Sequence, residues 1–250
     1  MKACIVIAGA SSGIAQALFN YWYEKFQSFN FLLITRRPEH LKASLPTYQS
    51  HFANRVSWLA VDLSQASSVD TVSTYVKTHQ LNTRYWINCC GFLHNAHVKP
   101  EKSLQQLSVE ALNINLQGNL HPHIHFAQIV NNCSQATQRQ TCINLSALVG
   151  SISENYLGGW YSYRMSKAAL NMLVKNISIE WRRRYPSNII VAVHPGTTDT
   201  KLSKPFQANI DKEKLYSAQL TAQRLTKVIQ GLTVEDSGRL LHWDATAINY

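Results

Sequence analysis

Long hydrophobic runs are absent from this sequence, and so are stretches rich in proline, glycine or serine that would act as linkers. The chain has 250 residues, of which only seven are proline and ten are glycine. The apolar stretch at its start is too short for a signal peptide or a membrane span. We therefore predict a single domain over residues 1–250, a cytoplasmic location and no membrane partner.

Cysteine is also sparse, and its placement does not suit a disulfide framework or a zinc site. The number is odd, and no spacing matches that of a zinc finger. Most of the cysteines lie in or beside apolar runs, as buried thiols do. The five are Cys4, Cys89, Cys90, Cys133 and Cys142. We expect free thiols in a reducing compartment.

Acidic residues are few, because 14 Asp and Glu stand against 24 Lys and Arg, for a net charge of +10. A basic excess suits nucleic acid, a membrane surface, a small polyanion or simply a solvated basic surface. The most basic run, Arg182-Arg183-Arg184, ends a predicted helix, where cations complement the helix dipole. We therefore expect no nucleic-acid partner.

A histidine cluster, His121-Pro122-His123-Ile124-His125, raises the question of a metal site. On a helix only His121 and His125 share a face, and no third ligand is evident. Structural and catalytic zinc sites use at least three protein ligands. We expect no metal here, and a helix packed at a subunit contact is the favoured interpretation.

What the sequence does contain is an alternation of short apolar runs with longer amphipathic ones. The apolar runs lack polar alternation, which is typical of strands buried on both faces of a parallel sheet. They cover residues 3–8, 31–35, 56–61, 85–88, 141–145, 189–194 and 239–243. Helices are predicted at residues 13–26, 67–78, 108–130, 160–184 and 218–230. The pattern predicts an α/β fold, a doubly wound parallel sheet with helices on both faces.

The first predicted strand runs directly into Gly9-Ala10-Ser11-Ser12-Gly13-Ile14, where a helix begins. Gly9 allows the sharp turn out of the strand, and Gly13 allows close approach to the helix start. The free N–H groups and the positive dipole end of that helix suit a pyrophosphate. The segment is a candidate dinucleotide-binding turn, and an ordinary tight turn is the competing interpretation.

The second predicted strand ends in Thr35-Arg36-Arg37. In a dinucleotide-binding sheet that strand end lies beside the adenine ribose, where a carboxylate would bind a free 2′-hydroxyl. Two guanidinium groups stand there instead, and guanidinium binds phosphate through paired, charged hydrogen bonds. Arg36 and Arg37 therefore predict NADP(H) over NAD(H), unless both are simply solvated residues at a strand end.

A tyrosine and a lysine one helical turn apart form the candidate catalytic pair. Tyr163 and Lys167 are four residues apart in a predicted helix, so their side chains share a face. A nearby ammonium favours the phenolate and lowers the pKa of a tyrosine. The pair predicts Tyr163 as a proton donor or acceptor, and an exposed helix pair is the alternative.

With these motifs in this order, the chain resembles the short-chain dehydrogenase/reductase family over nearly its whole length. Residues 8–15 are similar to TGxxxGIG, with alanine for the threonine and for the last glycine. Residues 150–155, 158–164 and 238–244 resemble the C-factor-like branch. The other matches are Asp62-Leu63, Asn88-Cys89-Cys90-Gly91 for NNAG, Asn115-Leu116-Gln117-Gly118, Tyr163 and Lys167 for YxxxK, and Pro195-Gly196-Thr197-Thr198-Asp199-Thr200 for PGxxxT.

The resemblance implies a Rossmann-type sheet of about seven strands, a nicotinamide cofactor, a small carbonyl or alcohol substrate, and a homodimer or homotetramer. It implies that Tyr163 is the general acid/base, that Lys167 binds the ribose and tunes Tyr163, and that Asn115 holds a water. The residues implied to bind the cofactor, besides Tyr163 and Lys167, are Gly9, Ser11, Ser12, Gly13, Ile14, Arg36, Arg37, Asp62, Leu63, Asn88, Gly91, Pro195, Gly196, Thr198 and Thr200.

The family's catalytic serine is the position where this sequence departs from the pattern. Ala147 stands in its place, and the neighbouring Ser146 would point to the opposite face of an extended strand. We predict that a local twist presents Ser146 to the substrate oxygen, with Ser151 and Ser153 in the following loop as alternatives.

The predicted function is reversible hydride transfer between NADP(H) and a carbonyl or alcohol. The alternative is a cofactor-binding regulatory or signalling protein of the same fold with little turnover, and Ala147 is the residue that favours it.

Overall fold

The computed structural model describes residues 2–39, 54–208 and 210–250. Its centre is a sheet that consists of β1 (Ala3–Ala8), β2 (Asn30–Thr35), β3 (Val56–Ala60), β4 (Asn82–Asn88), β5 (Thr141–Leu145), β6 (Ile189–Val193), β9 (Leu240–Leu241) and β10 (Ala247–Ile248). The order of these strands in the sheet is β10-β9-β6-β5-β4-β1-β2-β3. A separate parallel pair consists of β7 (Thr197–Thr198) and β8 (Leu215–Tyr216).

The sheet is doubly wound, as predicted, because the chain proceeds outward from β1 to β3 and then crosses back to β4 on the other side of β1. All pairings from β3 through β9 are parallel. The carboxyl ends of β1 and β4 therefore lie side by side at the point where the strand order reverses. A crevice at this position is where sheets of this type bind ligands.

The sheet has eight strands rather than the seven expected from the resemblance. After β9 the chain turns back at Ala245, whose φ is 72°, and His242 N donates to Thr246 O at 2.8 Å. β10 then pairs antiparallel with β9. Two residues are too few to show a periodic pattern, so this edge strand carried no sequence signal.

The described residues form six α-helices, which lie on both faces of the sheet. They are α1 (Gly13–Lys25), α2 (Ser68–Thr78), α3 (Val109–Asn119), α4 (His121–Cys133), α5 (Tyr161–Arg184) and α6 (Ala218–Gly231). On one face α1 packs against α6, and Trp22 Nε1 donates to Thr226 Oγ1 at 2.6 Å. On the other face α2, α4 and α5 surround a core that includes Trp86 and Trp181.

The position of β1 in the middle of the sheet explains why its residues do not alternate between apolar and polar. Ile5 and Ile7 point into the core beneath α1, whereas Val6 and Ala8 point into the core on the opposite face. All four side chains are fully buried. A strand covered on both sides needs apolar residues at every position.

The helix predicted over residues 108–130 is in fact two helices, α3 and α4. The break lies at Leu120, whose φ of −116° and ψ of −50° depart from helical values. Pro122 lacks the N–H that would bond to the carbonyl of Gly118, and its ring crowds that carbonyl. The proline therefore ends one helix and begins the next.

After β6 the chain leaves the main sheet and forms β7 and β8 beside the crevice. Two 3-10 turns, Lys204–Phe206 and Lys212–Lys214, lie between these short strands. Asp199 N donates to Tyr216 O at 2.8 Å, which ties the segment together. Within the described ranges, no helix combines the length and apolar character that crossing a bilayer requires.

Candidate active site

The first strand-to-helix turn has a tight backbone path that only small residues allow. Gly9 ends β1 with a φ of +66°, and a Cβ added there would lie 2.8 Å from Cys90 N. Ser12 caps α1, because its Oγ accepts a hydrogen bond from Ala15 N at 3.1 Å. The other N–H groups of the first helical turn need partners from outside the helix. Such a turn can bind a phosphate.

The loop after β6 closes over this turn. A Cβ added at Gly13 would lie 3.1 Å from Thr200 Cγ2, so the two segments are in close contact. Thr200 N donates to Ser203 Oγ at 3.2 Å, which holds the threonine in place. Thr198 faces away, since its Oγ1 is buried 2.9 Å from Thr221 Oγ1. Thr200, rather than Thr198, is the threonine of this loop that borders the turn.

Pro195 and Gly196 begin the same loop, and Gly196 packs against two aromatic rings. Gly196 has a φ of +79°, and a Cβ there would lie 2.8 Å from the Tyr216 ring and 3.1 Å from the Trp243 ring. The Arg224 guanidinium lies over both rings, 4.1 Å and 3.9 Å from their centroids. The two rings hold the loop at the edge of the crevice. Position 196 must be glycine, because a Cβ there would collide with the Tyr216 ring.

Arg36 and Arg37 are exposed at the carboxyl end of β2. The strand end is tied to the first turn, because Ala10 N donates to Ile34 O at 3.1 Å. The two arginines therefore directly follow a strand end that borders the glycine turn.

The segment after β3 is held by a histidine from α4. Asp62 Oδ1 accepts a hydrogen bond from Ser64 N at 2.9 Å, and His125 Nδ1 lies 2.8 Å from Leu63 O. The His121 and His125 rings are 6.4 Å apart. Across the residues described, no three His, Cys, Asp or Glu side chains are grouped as metal ligands would be. His125 instead positions the Asp62-Leu63 segment.

Two residues at the end of β4 have different positions: Asn88 is buried in the structure, and Gly91 borders the site. Asn88 is fully buried, and its side chain accepts from Cys90 N at 2.9 Å and donates to Pro122 O at 3.1 Å. Its amide is thus used to shape the strand end. Gly91, by contrast, lies beside α5, where an added Cβ would be 3.9 Å from Lys167 Nζ.

Tyr163 and Lys167 are brought together near the carboxyl ends of β4 and β5. Lys167 Nζ donates to Leu145 O at 3.1 Å and lies 5.9 Å from the centroid of the Tyr163 ring. Burial lowers the pKa of Lys167 to about 8 and raises the pKa of Tyr163 above its ordinary value. The expectation that the ammonium lowers the tyrosine pKa is not met here, because burial has the larger effect.

Asn115 connects to α5 through a second asparagine, Asn119, which the sequence analysis did not identify. Asn119 Nδ2 lies 3.4 Å from Asn115 Oδ1 and donates to Ser166 Oγ at 3.1 Å. Ser166 Oγ in turn donates to Tyr163 O at 2.7 Å. Asn119 also bonds both backbone groups of Phe92. The signal for Asn119 was its position one helical turn after Asn115.

The three candidate serines all direct their hydroxyl groups elsewhere. Ser146 Oγ is buried and donates to Asn171 Oδ1 at 2.7 Å. Ser151 Oγ donates to Asn249 O, and Ser153 Oγ donates to Tyr250 O. The choice of Ser146 as the donor to a substrate oxygen is therefore not supported. Ala147, the next residue, is extended, with a φ of −151° and a ψ of 151°.

A cavity of about 830 Å³ lies beside Trp160, and its lining combines Trp160 and Phe206 with the charged residues Lys99, Glu101 and Lys102. The aromatic wall of this cavity begins at Trp160, whose ring lies 6.1 Å from the Tyr163 ring. The Phe206 ring follows at 5.2 Å from Trp160, and the His94 ring at 5.4 Å from Phe206. Phe206 and His94 come from loops of no regular period, so sequence patterns did not reveal them.

The amino-acid sequence matches a family model described as short chain dehydrogenase over residues 3–211. The chain is 36% identical over 106 residues to the 1-hydroxy-2-glutathionyl-2-methyl-3-butene dehydrogenase of a Rhodococcus strain. It is 34% identical over 106 residues to the C-signal of Myxococcus xanthus. Each match covers 42% of this chain, and the chain spans 45% and 58% of these two relatives.

The fold also matches solved structures along its whole length. An NADPH-bound carbonyl reductase from chicken fatty liver superposes with a TM-score of 0.82 at 20% identity, and the match covers 100% of both chains. At this level of identity the similarity concerns the fold.

Proposed function

Because this chain belongs to the short chain dehydrogenase family, we propose that it is an NADP(H)-dependent oxidoreductase that interconverts a carbonyl compound and the corresponding alcohol. The observation that carries the proposal is the position of Tyr163. Its ring lies between Lys167, which reaches the end of β5, and Trp160, which lines the cavity. A phenol at this position would face the cofactor on the side of Lys167 and the substrate on the side of Trp160.

The residues around the crevice fit a phosphorylated nicotinamide dinucleotide. The turn from Gly9 to Gly13 would receive the pyrophosphate, and Thr200, whose side chain borders Gly13, would lie beside it. Arg36 and Arg37 would bind the 2′-phosphate. When bound, this cofactor supplies or accepts the hydride. The NADPH present in the chicken carbonyl reductase structure supports the same cofactor here.

Tyr163 would transfer the proton that accompanies the hydride. Burial raises its pKa, so the phenol is protonated at neutral pH, and this is the form that donates to a carbonyl oxygen during reduction. In the reverse direction the tyrosine must accept the proton of the alcohol. The Lys167 ammonium beside the ring favours the phenolate that remains after donation. Asn115 and Asn119 would hold the helix segment that carries both residues.

The aromatic side chains of the cavity would suit a carbonyl compound that carries an aromatic ring. The cavity volume of about 830 Å³ is large enough for a molecule with one or two rings. Trp160 and Phe206 offer aromatic surfaces on the path to Tyr163. Aromatic ketones and diketones are therefore the first substrates to test.

The test is a panel of aromatic diketones, aryl ketones, aldehydes and quinones, assayed with NADPH on the full chain. We expect turnover of at least one aromatic compound, and we expect its loss in the Tyr163→Phe control. Tight NADPH binding without turnover of any compound would contradict this proposal. That result would favour the cofactor-binding regulatory protein instead.

We propose a homodimer in which α5 of one copy packs against α5 of another. Met165, Met172 and Ile179 are spaced seven residues apart, so they form one apolar stripe, and all three are exposed in the single chain. Replacing Met172 with Glu should shift the protein toward monomer in sedimentation experiments. If the wild type is already a monomer, and the substitution leaves its mass unchanged, the proposal is contradicted.

We also propose that the protein works in a reducing, cytoplasmic compartment. All five cysteines carry free thiols, and Cys4, Cys89 and Cys142 are buried. Burial raises the pKa of Cys4, Cys90 and Cys142 to about 12, which keeps these thiols in the protonated form. Localisation of a tagged full chain in its native cell would test the compartment.

A further inference from the structure

The helix that carries Tyr163 begins without a cap of its own. The residue before its first turn, Trp160, has a φ of 50° and a ψ of 40°, and its side chain makes no capping hydrogen bond. Gly158 and Gly159 precede it with φ values of 62° and 64°. Three successive left-handed residues form an unfavourable entry to a helix, especially at a tryptophan. Contacts from outside the segment must hold this entry in place.

Those contacts come from Glu101, which lies 61 positions before Ser162 in the chain. The Glu101 carbonyl oxygen accepts a hydrogen bond from Trp160 N at 2.5 Å. The carboxylate accepts from Ser162 N at 3.2 Å through Oε2 and from Ser162 Oγ through Oε1. Glu101 is only 4% exposed. A carboxylate at this point satisfies an N–H of the first turn and complements the positive end of the helix dipole.

Tyr163 directly follows the serine that Glu101 holds. On its other side Ser166 Oγ bonds the Tyr163 carbonyl, so the tyrosine is fixed from both directions. Glu101 also lines the cavity next to Trp160. The carboxylate thus links the wall of the substrate space to the turn that carries the phenol.

We infer that Glu101 is a positioning residue for Tyr163, acting as an N-terminal cap that a distant loop supplies to the catalytic helix. The inference rests on the proposed function, and it adds a residue that matches no motif of the sequence. Without the carboxylate the first turn of α5 loosens, and the phenol is displaced from the substrate oxygen. A displacement of about 1 Å at a reacting group lowers the rate on the order of 100-fold.

The experiment compares Glu101→Ala and Glu101→Gln with the wild type, and uses Glu154→Gln as the matched control. Glu154 is an exposed glutamate in the loop that precedes the same helix. The backbone contact from Glu101 O to Trp160 N remains in every variant, so the series isolates the carboxylate. NADPH affinity, kcat and KM are measured on the full chain with an aromatic carbonyl compound that the wild type reduces.

We expect Glu101→Ala to lower kcat by about 10- to 100-fold and to leave the NADPH affinity within about twofold. Glu101→Gln retains an acceptor oxygen for Ser162 N, so it should recover part of the loss. Glu154→Gln should match the wild type. Equal kcat in Glu101→Ala and wild type would overturn the inference. A parallel loss of NADPH affinity and kcat would also overturn it, because it would show general destabilisation.

A second readout does not depend on turnover and separates the two proposals. Tyrosinate absorbance is titrated with alkali, and the curve of a Tyr163→Phe variant is subtracted in each background. Burial keeps Tyr163 protonated in the wild type, whereas a loosened turn should let it titrate near the ordinary value of about 10. If Glu101→Ala leaves this difference curve unchanged, the inference fails. If the wild type reduces no carbonyl compound, that result contradicts the proposed function but not the inference about Glu101.

Discussion

Ser146 Oγ donates to Asn171 Oδ1 at 2.7 Å, and both residues are buried. This bond joins the end of β5 to the middle of α5, one helical turn beyond Lys167. It places the hydroxyl of Ser146 in the support of the catalytic helix. We therefore expect the serine to contribute to stability and not to turnover.

Ser146→Ala should reduce the free energy of unfolding by about 1–3 kcal/mol, because Asn171 Oδ1 loses its partner in a buried position. The rate of the folded enzyme should change by less than about threefold, far from the 10²–10³ expected for a lost oxyanion donor. Urea denaturation and steady-state kinetics measure the two effects. A large rate loss at unchanged stability would make Ser146 a catalytic residue after all.

Ala147 is the position where a hydroxyl group could raise the rate. Its φ of −151° and ψ of 151° are extended, so its side chain points away from the side that Ser146 uses. Ala147→Ser should increase kcat for the best carbonyl substrate, because it adds a donor for the developing oxyanion. Ala147→Cys has a similar size and a weak donor, and it serves as the control. Equal rates in the two variants would argue that no such donor is missing.

Tyr163→Phe removes the proposed proton donor and keeps the ring. We expect kcat to fall by about 10²–10⁴, the usual contribution of a general acid. The affinity for NADPH, measured by fluorescence titration, should remain close to that of the wild type. A variant that retains most of its turnover would show that another group donates the proton.

The pH dependence of kcat/KM should reflect the protonation state of Lys167. Burial lowers the pKa of this lysine to about 8, so the ammonium is present below that pH and is lost above it. Because the charge would attract the ribose and favour the phenolate, kcat/KM for NADPH should fall as the pH rises through about 8. Lys167→Arg stays protonated, so its profile should be flat over that range, at a lower level. A fall that persists in Lys167→Arg would assign it to another group.

The two arginines at the end of β2 should determine the choice between cofactors. Replacing Arg36 and Arg37 with alanine should raise the Michaelis constant for NADPH by about 10-fold or more, since hydrogen bonds to charged groups contribute about 1.5–3 kcal/mol. The constant for NADH should change little, because NADH lacks the 2′-phosphate. Kinetics with both cofactors test this, and an unchanged preference would remove the arginines from the site.

The strands and helices next to the site could be predicted because their signals are local. The run from β1 into α1 combines buried residues with glycines that a tight turn requires, and Tyr163 and Lys167 share a helix face through their spacing alone. The first and last residues of the strands were predicted less accurately than the strands themselves. β4 begins at Asn82 and not at residue 85, since its first residues pair with β1 through the backbone whatever their side chains.

The amino-acid sequence by itself determined the doubly wound α/β order, the glycine turn, the arginines after β2 and the pairing of Tyr163 with Lys167. Each follows from residues within a few positions of one another, where backbone geometry sets the contacts. Only the tertiary structure decided that Ser146 bonds Asn171, that Phe206 continues the aromatic wall, and that Glu101 caps α5. These contacts join segments far apart in the chain, and their partners depend on how the strands and helices pack.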